Sequence, residues 1–127
     1  MWVLVAFNPR KGQTSHVGTF QYGNDHYEFD DRLLAHVKLA IVAKLLRHES
    51  FLMSWTIPVK NGSGRMSVWI SRESHLSFLF AGSRPPEINR RWVEALMLNA
   101  ARTGGMQLMA ENDIEEAFTA HRLIGPA

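Results

Sequence analysis

Polar and apolar residues alternate, then wind, then alternate again along this chain, and the change of period marks its elements. The stretches GTFQY and HYEFD flank GND, which predicts a β-hairpin with Phe20, Tyr22, Tyr27 and Phe29 on one face. From Asp30 the spacing becomes helical. Asp30 or Asp31 is placed to cap a helix over RLLAHVKLAIVAKLLRH. Leu34, Val37, Ile41 and Leu45 form one stripe of it, and Ala35, Leu39, Val42 and Leu46 form a second beside the first. The apolar arc covers about half of the circumference, more than a one-sided surface helix needs. The helix therefore either lies deep under a sheet or offers the stripe Leu39, Val42 and Leu46 to a second chain. Lys38 falls inside this arc, where a snorkelling stem accounts for it.

Three strands should follow. SFLMSWTI points Phe51, Met53, Trp55 and Ile57 inward, and Ser54 and Thr56 outward. PVKNGSG is a turn-rich loop. RMSVWIS sends Met66, Val68 and Ile70 inward, leaving Trp69 outward among Ser67 and Ser71. HLSFLF places Leu76, Phe78 and Phe80 inward and Leu79 outward. AGSRPPEINRRW (81–92) is a strand-to-helix joint. Its prolines cannot extend a ladder, and Pro86 suits the first position of a helix, with Glu87 in the first turn. That helix would present Ile88, Trp92, Ala95, Leu96 and Ala100 on its apolar face and pair Glu87 with Arg91 and Arg90 with Glu94. TGG (103–105) ends it, MQLMA is a last strand, and NDIE has the form of a capping box before a short helix around Ile114 and Phe118.

The resulting order is β-β-α-β-β-β-α-β-α, which predicts a single α+β domain: a mainly antiparallel sheet with two long helices on one face. Residues 1–16, with the polar run NPRKGQTSH, read as an N-terminal extension and linker, 17–110 as the globular domain, and 111–127 as a C-terminal helix and tail. The 127 residues suit one domain, and 46% apolar residues with four Trp and seven Phe suffice for a core. The absence of Cys rules out disulfides and fits a cytoplasmic location. No apolar run approaches the roughly 20 residues of a membrane span.

Charge changes the picture more than composition does. The net charge is only +2. Between Arg32 and Arg102, however, eleven Lys and Arg face four acids, a surplus of seven, while acids gather at 25–31 and 111–116. Such a basic middle suits a solvated surface or an anionic partner. Arg84 has no local carboxylate and precedes the expected helix start, so Arg84, Ser83 and the first turn form a candidate anion site. Trp69, between Arg65 and Arg72 on the outward sheet face, is placed to stack nucleic-acid bases. The six histidines lack metal-motif spacing, and His36 falls on the polar side of the first helix, where solvent should reach it. Asp30, Asp31 and Glu28 could hold a divalent ion, but capping accounts for the aspartates. No nucleophile-elbow or phosphate-loop motif occurs, so neither cofactor nor metal is expected.

EFDDRLLAH (28–36), the gapped KL-R-ESF (44–51), SW (54–55), GSRPP-NR-W-EALM (82–97) and GMQL (105–108) carry a resemblance. Over about residues 17–110 the chain resembles a family of small uncharacterised actinobacterial proteins, many labelled ATP-dependent DNA ligase. The resemblance implies that DDRLLAH and GSRPPxxNRxW are the characteristic segments and that Val17 is the natural start. A ligase takes AMP on the lysine of a K-x-D-G motif, and this sequence has no such motif. Two functions follow, with an enzyme related to the ligase label a distant third. One is a noncatalytic module contacting nucleic acid through Arg65, Trp69, Arg72, Ser83, Arg84, Arg90 and Arg91. The other is a homodimeric interaction domain using Leu39, Val42 and Leu46 or the outer sheet face.

Overall fold

The computed structural model describes residues 2–4, 16–102 and 104–124. Apart from His16, the expected linker 8–16 lies outside them, as do Thr103 and the tail 125–127.

The alternating segments form strands as the pattern predicts. β2 (Val17–Tyr22) and β3 (Asp25–Asp30) make an antiparallel hairpin with Phe20 opposite Tyr27, and Gly23 takes the left-handed turn position at φ 59°. β3 runs straight into α1 (Asp31–Leu46). Asp30 closes the strand and caps the helix at once, its carboxylate accepting the N–H groups of Arg32 and Leu33. β4 (Phe51–Ile57), β5 (Gly64–Ile70) and β6 (Leu76–Leu79) follow, then α2 (Arg90–Ala100), β7 (Met106–Gln107) and α3 (Ile114–Ile124). This α+β order is the predicted one, preceded by a short strand, β1 (Trp2–Leu4), which pairs parallel to β3.

The strands form two sheets where one was expected, in the orders β1-β3-β2-β6 and β5-β4-β7. β4 and β5 pair along their whole length, but β6 then leaves them and pairs antiparallel with β2. The cause is the aromatic content of the inward faces. Trp55 of the second sheet meets the ring edges of Tyr27 and Phe29 of the first, with centroids 5.0 and 5.2 Å apart. Burying these faces against each other removes more apolar surface than one flat sheet could. α1 packs on β2 and β3, α2 packs on β4 and β7, and the helices touch each other. Phe20, Phe29, Leu34, Ile41, Met53, Ile70, Trp92, Leu96 and Met106 are buried in one continuous core.

Two local expectations are corrected. Ser54, expected exposed, is buried with its Oγ 2.7 Å from that of Ser67, because β4 is the central strand and its neighbours cover a small side chain. The second helix begins at Arg90, not Pro86. Asn89 is its cap, accepting the N–H groups of Arg91 and Trp92, and it outcompetes Pro86 because a side-chain acceptor satisfies donors that proline cannot. Ile88 accordingly lies outside the helix and is exposed, and Glu87 cannot form a helical pair with Arg91.

Candidate functional site

The two segments DDRLLAH and GSRPPxxNRxW are far apart in sequence and bound together in space. Asp31 supplies the first link. Its carboxylate accepts the N–H groups of Ala81 (3.2 Å) and Gly82 (2.8 Å). The fit beneath it is tight, for a Cβ on Gly18 would stand 2.6 Å from Asp31 Oδ1 and 2.7 Å from the Leu79 carbonyl. Arg32 supplies the second link. It forms a bidentate pair with Glu111 (3.0 and 2.8 Å), donates to the Glu87 carbonyl (2.5 Å) and lies over the Trp92 ring. The hydrogen bond to Glu111 raises the Arg32 guanidinium above its ordinary pKa.

His36 supplies the third link, and here expectation is reversed: the ring is fully buried. Asn89 N–H points at Nε2 (2.8 Å) and can only donate, so Nε2 accepts and the proton sits on Nδ1, donating to the Arg32 carbonyl (2.6 Å). The ring also lies against Trp92, centroids 4.3 Å apart, and the Trp92 indole N–H donates to the Met109 carbonyl (3.1 Å). Burial pushes the His36 pKa down, only partly opposed by the hydrogen bond to Arg32. Asn89 Nδ2 closes the network on Glu111 (2.9 Å). Every link fastens the 81–89 segment to the first half of α1.

Between them lies an open trough of about 370 Å³, lined mainly by apolar groups of Leu39, Phe80, Pro85, Pro86 and Ile88, with Lys38, Ser83 and Arg84 also facing it. The Lys38 ammonium lies over the Phe80 ring, 5.6 Å from its centroid. Lys38 is exposed as a snorkelling residue should be, but it stands at a site edge rather than over featureless core. Leu39 and Val42 are about 40% exposed and Leu46 is 76% exposed, so the second helical stripe continues from the trough along α1 as partly exposed apolar surface.

The seven residues grouped by charge and aromaticity do not come together. Arg65 and Trp69 are on the outer face of the second sheet, with Trp69 opposite Leu52 and 54% exposed. Arg72 reaches His48. Ser83 and Arg84 face the trough. Arg84 sits five residues before the Asn89 cap, and that cap already occupies the first-turn donors, so the expected anion site has lost its helix terminus. Arg90 is exposed at the start of α2, while Arg91 is held by both carboxylate oxygens of Glu115 and covers Phe118 at 4.0 Å. Sequence reasoning missed the His36–Asn89–Arg32–Glu111 network. Asparagine directly before RRWVEAL is a capping signal that would have revealed one member.

Among the described residues, no group of three or more His, Asp and Glu is placed to hold a metal, and no helix is long and apolar enough to cross a membrane. No curated protein and no solved structure matches the chain. Residues 17–111, which contain both linked segments, match a family model described as Domain of unknown function (DUF7882), a description that names no ligase activity, and the chain belongs to that family.

Proposed function

We propose that this domain is a noncatalytic binding module that engages a partner protein through the trough and the outer stripe of α1. One observation carries the reading: Leu39, Val42, Leu46 and Ile88 are exposed side by side with a trough that a dedicated polar network holds open. Exposed contiguous apolar surface on a folded domain marks protein contacts. The test places a photo-crosslinking amino acid at Leu46 in the cells that make the protein. Protein adducts that disappear with Val42→Glu are expected, since a charge buried unpaired in an apolar contact costs several kcal/mol, on the order of the transfer penalty of a polar group or more. An adduct to a second copy identifies the partner as a homodimer, which sedimentation checks. Absence of any protein adduct from Leu46 refutes the reading.

A second reading has its own support in Trp69. Its exposed ring, with Arg65 four residues away on the same sheet face, suits the stacking of single-stranded nucleic acid. The charge surplus supports it less than the sequence suggested, because Arg32 and Arg91 are paired with Glu111 and Glu115, two acids from outside the basic stretch. An oligonucleotide titration followed by Trp fluorescence should show affinity falling steeply with salt and lost in Trp69→Ala. Salt-insensitive binding, or none, removes this reading.

A further inference from the structure

We infer that the trough takes an acidic amphipathic helix of a different protein, an inference that rests on the protein-binding reading above. The charge around the trough selects the partner. Lys38 and Arg84 line it and neither has a carboxylate partner among the described residues. The one acid in the lining, Asp31, has both oxygens engaged by Ala81 and Gly82, so its charge is turned into the fold rather than toward a ligand. A partner must therefore bring its own carboxylates.

Shape selects the helix. Leu39, Val42 and Leu46 extend the apolar floor along α1 by about 10 Å at 1.5 Å per residue. An apolar strip of that length, fed by a trough that accepts one or two side chains, suits anchors at i, i+3 or i+4, and i+7 of a helix laid in the groove. The site is also preformed. Pro85 and Pro86 restrict the far wall, and Asp31, Arg32 and His36 pin its ends, so little ordering cost opposes binding.

The same facts disfavour the other occupants. A second copy presenting its α1 brings no carboxylate except the engaged Asp31, the only acid in Asp31–Leu46. A nucleic acid would find an aliphatic floor and a Phe80 ring already covered by an ammonium.

A random dodecapeptide phage library selected on the full-length chain tests the inference. Enriched peptides should combine helical apolar spacing with Asp or Glu, and a synthetic copy should shift the NMR amides of 80–88 and of Leu39–Leu46. Its affinity should fall at least tenfold in Lys38→Glu/Arg84→Glu and recover when the peptide acids are changed to lysine. Both substituted positions are exposed, and circular dichroism confirms that the variant is folded. Neutral or basic peptides that bind the trough equally well in the charge-reversed variant would overturn the acidic-helix inference and leave the protein-binding reading standing. Peptides that bind elsewhere on the domain overturn it too. Enrichment of no peptide at all overturns both.

Discussion

His36→Phe isolates one link of the clamp. Phenylalanine keeps a flat ring against Trp92 and fills the same buried space, so the apolar contact survives. What is lost is Nε2, the acceptor for the Asn89 N–H, and the Nδ1–H bond to the Arg32 carbonyl. The carbonyl keeps its place in the helical ladder, but the Asn89 donor loses its partner at the head of α2. An orphaned buried donor costs about 1–3 kcal/mol. A domain of this length loses roughly 4 °C of Tm per kcal/mol, so a fall of about 4–12 °C is expected. The variant also has a pH signature. Burial lowers the His36 pKa in the fold, so below the ordinary histidine value of about 6.5 the unfolded chain binds a proton that the native ring refuses. His36 therefore stabilises the fold fully above pH ~6.5 and loses that contribution as the pH falls through this value toward the depressed folded pKa. The groups facing the ring act in opposite senses, Arg32 lowering its pKa and Glu111 raising it, and burial outweighs both. Urea unfolding of both proteins between pH 5 and 8 measures the difference, and subtracting the two cancels the other five histidines. The gap should shrink on acidification. A variant within about 0.5 kcal/mol of wild type, or a gap that does not change with pH, would refute the clamp.

Gly18→Ala should destabilise by about 1–3 kcal/mol in thermal unfolding, the usual penalty of overpacking, because its Cβ would meet a backbone carbonyl that cannot yield. Asp31→Asn should cost about 1–2 kcal/mol and speed hydrogen exchange at Ala81 and Gly82, since an amide offers one acceptor oxygen where the carboxylate offers two. The two tryptophans should separate cleanly under denaturation. Trp92→Ala is expected to cost about 3–5 kcal/mol, because the side chain is wholly buried, and Trp69→Ala about 0.5 kcal/mol, as for a surface position. Similar losses for both would contradict the exposed position of Trp69 on the outer face of the second sheet.

Local patterns settled much of this architecture. The hairpin of β2 and β3, the Asp30 cap, the inward set Phe51, Met53, Trp55, Val68 and Ile70, and the outward Trp69 and Leu79 all follow from side-chain periodicity and capping chemistry, which act over a few residues. The wide apolar arc of α1 was visible as well, but that Leu39, Val42 and Leu46 stay exposed rather than lying under a sheet was decided by the tertiary structure. Only the tertiary structure decided where distant groups meet. The split into two sheets depends on Trp55 reaching Tyr27 and Phe29 across the core. The fate of the basic middle depends on Glu111 and Glu115, which lie outside it in sequence and fold back onto Arg32 and Arg91. The burial of His36 depends on Asn89, 53 residues away, and on Trp92. Periodicity reports which way a side chain points relative to its own backbone, whereas charge neutralisation and burial are set by what the rest of the chain brings against it.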